Sequence, residues 1–97
     1  MQYYRERRGK MVDFVDAMVN YYMMRKVNNM FFIKVIEYMQ KVMPTLSVEE
    51  IRDSVLFLLE NLDSHLSKVE TKFGLIIRLS DRTLRDDMVK KLEEILA

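Results

Sequence analysis

Three residues punctuate this chain of 97: the glycines Gly9 and Gly74 and the single proline Pro44. Tight β-turns draw on glycine, proline and asparagine. So small a supply argues against a many-stranded sheet and for long helices. A chain of this length holds one domain, since separate cores need roughly 50 residues each. Hydrophobic residues make up 49% of it, enough for a packed core, and charged residues 32%, enough to solvate the surface.

Hydrophobic spacing places the helices. Met11, Phe14, Val15, Met18 and Tyr22 recur at the helical period, so a first helix is expected over 11–27. Val12, Val19 and Met23 broaden its apolar face, and Asn28-Asn29 breaks it. A second helix is expected from about Met30 to Val42, with Phe32, Val35, Ile36, Met39, Val42 and Met43 forming its apolar face. Pro44 stops it, because a proline pushes the residue before it out of helical geometry. Ser47-Val-Glu-Glu50 then reads as a capping box that starts a third helix. Beyond it, Ile51, Val55, Leu58, Leu59, Leu62, Leu66, Val69 and Phe73 keep helical spacing. One helix over 47–73 explains this; so do two helices joined near residues 61–64, where Asn, Asp and Ser suit a helix start. Gly74 is a good residue to end such a helix. Leu75-Ile-Ile-Arg-Leu79 is short and β-branched at its centre, as a strand would be. Thr83 or Asp81 caps a last helix carrying Leu84, Met88, Leu92, Ile95 and Leu96.

Charge is unevenly distributed. Residues 1–10 carry Arg5, Arg7, Arg8 and Lys10 against Glu6, whereas 47–70 hold two positives against six negatives. The chain thus has a basic arm, an acidic middle and a mixed tail, not the broad basic face of non-specific phosphate binding. Having no cysteine, it forms no disulfide or thiolate metal site and uses no cysteine nucleophile. His65 is the lone histidine, which excludes a histidine-cluster metal site. The pairs Asp86-Asp87 and Glu93-Glu94 diverge around a helix and do not converge on one proton or metal. Asp13 and Asp16 share a face, but nothing in the sequence completes a site around them. We therefore expect no enzyme activity and no cofactor. Apolar runs fall well short of the ~20 residues that cross a bilayer, and Asp13 and Asp16 interrupt any signal core behind the basic start. The expectation is a cytoplasmic protein with no membrane partner.

The spacing of Ile51, Val55, Leu59, Leu62, Leu66 and Val69, followed by Gly74-Leu-Ile-Ile-Arg78, resembles winged helix-turn-helix regulators, most closely the multiple-antibiotic-resistance regulator family. Phe32-Ile-Lys-Val-Ile-Glu-Tyr-Met-Gln-Lys-Val42 is similar to the first helix of that core, and Leu79-Ser-Asp-Arg-Thr-Leu-Arg85 to its wing. The resemblance covers residues 30–87. It implies a mainly α domain, winged-helix-like with a minimal wing, because Arg85-Asp-Asp-Met-Val runs on in helical pattern. The parts would be a basic arm over 1–10, a helical hairpin over 11–43, a helix-turn-helix and wing over 47–82, and a C-terminal helix over 83–97. The alternative is an all-α bundle of four or five helices.

The resemblance also implies double-stranded DNA as partner. A recognition helix from about Asp63 would expose Ser64, His65, Lys68, Thr71 and Lys72, and the wing would offer Arg78, Arg82 and Arg85. Each of these residues is equally at home as an ordinary solvated side chain. Tyr3-Tyr4-Arg5-Glu-Arg7-Arg8 fits either a nucleic-acid arm or the first turn of a helix. The excess of apolar side chains around residues 18–32 points to a homodimer through Phe14, Met18, Tyr22, Met23, Leu92 and Ile95. Should the wing be absent, the same Met- and aromatic-rich helices suit a protein-interaction or assembly module.

Overall fold

The computed structural model describes the backbone over residues 2–97 and the side chains over 9–97. The elements are α1 (Gln2–Arg25), β1 (Asn29–Phe31), α2 (Phe32–Val42), α3 (Val48–Asn61), β2 (Leu66–Thr71), β3 (Gly74–Leu79) and α4 (Arg85–Leu96). Four helices and a three-stranded antiparallel sheet make this a mixed α/β domain, which overturns the all-helical bundle.

α1 begins nine residues before the expected 11, so the basic arm has helical backbone from residue 2. The side chains of Tyr3, Tyr4, Arg5, Arg7 and Arg8 lie outside the described residues. The helix ends in a Schellman motif: the Lys26 N–H donates to the Met23 carbonyl and the Val27 N–H to the Tyr22 carbonyl, both at 3.2 Å. Lys26 holds the left-handed position at φ 55°, where glycine is the usual occupant.

α2 stops at Val42, two residues before Pro44, as expected. α3 opens on the capping box. Ser47 Oγ accepts from the Glu50 N–H at 3.1 Å, and Glu50 Oε1 accepts from the Ser47 N–H at 3.0 Å. Those bonds hold the Glu50 carboxyl below the usual carboxylate range. The third helix does not run to 73. It ends at Asn61, whose Nδ2 turns back to the Phe57 carbonyl at 2.9 Å, and the backbone then turns through 63–65 into β2. No second helix follows, so the recognition helix expected from Asp63 is a strand. Thr83 and Asp81 do not cap the last helix either. Asp81 Oδ1 accepts from the Thr83 N–H and hydroxyl at 2.8 and 2.6 Å, closing a turn before α4 starts at Arg85.

The sheet runs β1-β3-β2, so β3 is central. Met30 lies opposite Ile77, Leu66 opposite Leu79 and Thr71 opposite Gly74. Side chains alternate across a pleated strand. Leu66, Ile77 and Leu79 therefore face the core and are buried, while Phe31, Ile76 and Val69 align on the outer face. The core joins this inner face to Phe14, Val15, Met18 and Tyr22 of α1, Val35, Ile36 and Met39 of α2, Ile51, Val55 and Leu58 of α3, and Met88 and Leu92 of α4. Two bonds root β3 on the end of α1: the Tyr22 hydroxyl donates to the Ile77 carbonyl at 2.7 Å, and Asn28 Nδ2 to the Leu79 carbonyl at 2.8 Å.

This packing corrects the dimer surface expected from sequence. Phe14, Met18, Tyr22 and Leu92 are buried in the core of the single chain and have no area left for a partner. Met23 and Ile95 are exposed, at 52% and 39%, and Met24 joins them at 57%. Among the described residues no helix is long and apolar enough to cross a membrane.

Candidate functional site

The feature that leaves the body of the domain is the β2–β3 hairpin. Its root is fixed by Leu66, Ile77 and Leu79, and every residue of β2 after Leu66 is exposed. At about 3.3 Å per residue, each six-residue strand reaches roughly 20 Å. The Ser80 N–H donates to the His65 carbonyl at 2.9 Å, carrying the pairing below the root.

The tip is a two-residue turn, Lys72-Phe73, held from both sides. Thr71 Oγ1 donates to the Gly74 carbonyl at 2.7 Å and accepts from the Phe73 N–H at 3.2 Å. Gly74 sits at φ 133°, a conformation that side-chain-bearing residues rarely adopt. Gly74 is needed here, but to close a hairpin and not to end a helix. Two-residue turns are normally filled by Asn, Asp and Gly. This one presents Phe73 at 79% exposure, the largest value among the exposed large hydrophobic side chains, with Lys72 Nζ 5.3 Å from its ring centroid. Val69 is exposed below it on the outer face.

The hairpin gathers three of the cations singled out in the sequence. Lys68 lies on β2, Lys72 in the turn and Arg78 on β3, and all three are exposed. None of them pairs with a carboxylate among the described residues. Against them stands Glu70, so the hairpin has a net charge of +2 from three positives and one negative. α3 is the reverse. Glu49, Glu50, Asp53 and Glu60 face Arg52, all exposed, for a net of −3. The acidic middle of the sequence is therefore mostly α3, and the hairpin behind it is basic.

The other expected DNA contacts lie elsewhere. Ser64 and His65 occupy the turn between α3 and β2, with no helix to present them. His65 is half-buried, and its Nδ1 is enclosed without a hydrogen-bond partner. Lys91 of α4 reaches the Ser64 hydroxyl at 3.4 Å. Arg82 is half-buried in the turn before α4. Arg85 is committed to structure: its Nε pairs with Asp16 of α1, and its Nη1 with Asp86 at 2.8 Å. These carboxylates hold its guanidinium still further above its ordinary range. The Asp16 carboxylate thus finds its counterpart across the α1–α4 contact, where the sequence offered none.

Among the described residues no group of three or more His, Asp or Glu side chains is placed to hold a metal ion. A shallow recess of about 200 Å³ lies between the end of α1 and β1, lined by Tyr21, Arg25, Val27, Asn29, Met30, Phe31 and Lys34. It has no carboxylate to act as an acid or base. Beside it the Tyr21 and Tyr38 rings stack at 3.9 Å and brace α1 on α2. Compared with known proteins, the sequence matches no family model and no curated protein.

Sequence reasoning missed Phe73 and Val69 as surface features, because both fell on an apparent helical stripe. The signal was present in Thr71-Lys-Phe-Gly74. A Thr two residues before the Phe and a glycine just after it is the chemistry of a side-chain-closed turn.

Proposed function

We propose that this domain is a winged-helix DNA-binding module, in which the β2–β3 hairpin is the wing and supplies the phosphate contacts. One observation carries the reading. The order α1-β1-α2-α3-β2-β3, with strand order β1-β3-β2, sets a long antiparallel hairpin with net charge +2 directly after a pair of helices in contact. In this reading α2 and α3 form the helix-turn-helix, and Lys68, Lys72 and Arg78 approach the duplex backbone. Cations on a narrow, projecting element suit a minor groove, whose negative potential draws Lys and Arg inward. The net −3 of α3 leaves that helix a minor contributor, since phosphates repel its carboxylates.

The module acts as a dimer, joined through the exposed apolar side chains Met23 and Met24 of α1 and Ile95 of α4. Sedimentation of the wild type and of a Met23→Glu, Met24→Glu variant checks this: the variant sediments as a monomer.

The DNA reading is tested by titrating labelled duplex at several salt concentrations. Each phosphate contact contributes about −0.9 to the slope of log K on log salt. Replacing Lys68, Lys72 and Arg78 by Ala together flattens that slope by about 2 to 3. An unchanged slope removes the hairpin from the interface.

A second reading is supported by the outward face of α3. Val48 and Leu56 are exposed among its four carboxylates, at 38% and 45%. An apolar pair framed by acids fits a basic protein partner. If duplex binding is absent and a Leu56→Arg change abolishes capture of such a partner, this reading takes the place of the first.

A further inference from the structure

We infer that Phe73 is a wedge: the hairpin tip inserts this ring between base pairs from the minor groove and locally unstacks the duplex. The inference rests on the DNA reading above and adds to it a mode of contact that charge alone does not supply.

Four observations converge on the tip. Phe73 is 79% exposed and packs on none of the core, so folding does not account for it. It occupies a turn position where polar residues and glycine are the rule. The turn is braced: the two Thr71 hydroxyl bonds and the positive φ of Gly74 hold the backbone that carries the ring at the end of the hairpin. Finally, Lys72 stands beside the ring, Lys68 lies further down β2 and Arg78 at the root opposite Ser67, so that against the single carboxylate Glu70 the finger carries cations along its length, complementary to the phosphates that flank a groove. An apolar tip on a cationic, preorganised finger fits a nucleic-acid duplex better than an apolar protein groove. Apolar side chains that enter the minor groove unstack a base step and kink the duplex. Pyrimidine–purine steps such as TA yield most easily, so the wedge favours them.

The test uses the full chain and a duplex of about 30 base pairs carrying central TA steps, the length over which bending is readily measured. One strand carries 2-aminopurine beside a TA step, whose fluorescence rises when the base unstacks. Binding of the wild type raises that fluorescence. Phe73→Ala abolishes the rise and weakens binding by at least about fivefold, in line with the loss of one aromatic–base stack. Phe73→Leu, which keeps an apolar wedge, restores most of the rise. Because the ring is exposed, both variants keep the wild-type circular dichroism spectrum and melting temperature.

The outcomes separate the two claims. If the wild type binds the duplex, and the triple Ala variant at Lys68, Lys72 and Arg78 flattens the salt slope, but Phe73→Ala leaves affinity and fluorescence unchanged, the wedge is refuted and the DNA reading stands. If the wild type fails to bind duplex at all, both fall. If Phe73→Ala instead abolishes binding to anionic phospholipid vesicles or to a protein while duplex binding is untouched, the ring belongs to another partner and the wedge is refuted.

Discussion

Replacing Tyr22 by Phe removes one oxygen from the centre of the fold, and its effect should change sign with pH. The Tyr22 ring is fully buried, and its hydroxyl donates to the Ile77 carbonyl at 2.7 Å, tying α1 to the central strand. Deleting a neutral buried hydrogen bond while keeping the ring costs about 1 kcal/mol. In a domain of this size that lowers the melting temperature by about 4–8 °C at neutral pH. Burial, with a smaller contribution from the neighbouring Tyr21, pushes the phenol of Tyr22 well above its ordinary range. The folded chain therefore keeps the proton where the unfolded chain, with a tyrosine pKa near 10, loses it. A group whose folded pKa is raised contributes stability below the unfolded pKa and loses it as pH climbs. From about pH 10 the wild type gives up as much as about 1.4 kcal/mol per pH unit on this account, and the Phe variant nothing. Setting the two effects equal, the stability curves cross at about pH 10.6. Urea unfolding of both proteins from pH 7 to 11.5 measures the difference, in which the titrations of all other groups cancel. Parallel curves across that range would refute the claim that the Tyr22 hydroxyl is enclosed and bonded in the folded chain.

Other substitutions probe the joints. Lys26→Gly relieves the left-handed strain at the end of α1, partly offset by glycine's greater chain entropy, and stabilises the domain by about 0.5 kcal/mol in chemical denaturation. Gly74→Ala has room for its methyl, the nearest atom being a Phe31 ring carbon at 3.7 Å, yet costs about 1–2 kcal/mol through the backbone conformation alone. The loss appears in the melting temperature and in broadened amide resonances at 71–75. Ser47→Ala removes the hydroxyl half of the capping box, the Oγ that accepts from the Glu50 N–H, and costs about 1 kcal/mol at neutral pH. The Glu50 carboxyl is held below the usual carboxylate range first by the backbone N–H of residue 47 and then by the Ser47 hydroxyl; the Ala variant keeps the first bond and loses the second, so acid weakens both proteins at this helix start and the variant less.

What the sequence disclosed depended on how local the physics was. The capping box at Ser47 and the proline stop after α2 are contacts within four residues, and both were legible. β3 was legible because Ile76-Ile77 follows a glycine. β2 was not. Its one buried residue, Leu66, continued the spacing of Leu58 and Leu62, and exposed Val69 and Phe73 fell on the same period by coincidence. The remaining residues, Ser67, Lys68, Glu70, Thr71 and Lys72, show no alternation of apolar and polar. The pairing with β3 settles this segment as strand, and that is a tertiary fact. β1 is three residues long and exists because β3 offers it an edge. The same limit governed the site. Lys68, Lys72 and Arg78 were found as cations, but the element carrying them was misread, and Arg85 was assigned to DNA because its partner Asp16 lies 69 positions away in sequence.

Four consecutive residues of β2, Ser67 through Glu70, are exposed, and the ladder that holds them is made of main-chain groups, indifferent to side-chain identity. The molecule thus contains a stretch whose spelling folding hardly supervises, anchored just below by Leu66, Ile77 and Leu79, where no change is tolerated cheaply. Drift in that stretch can retune what the domain touches without endangering its integrity.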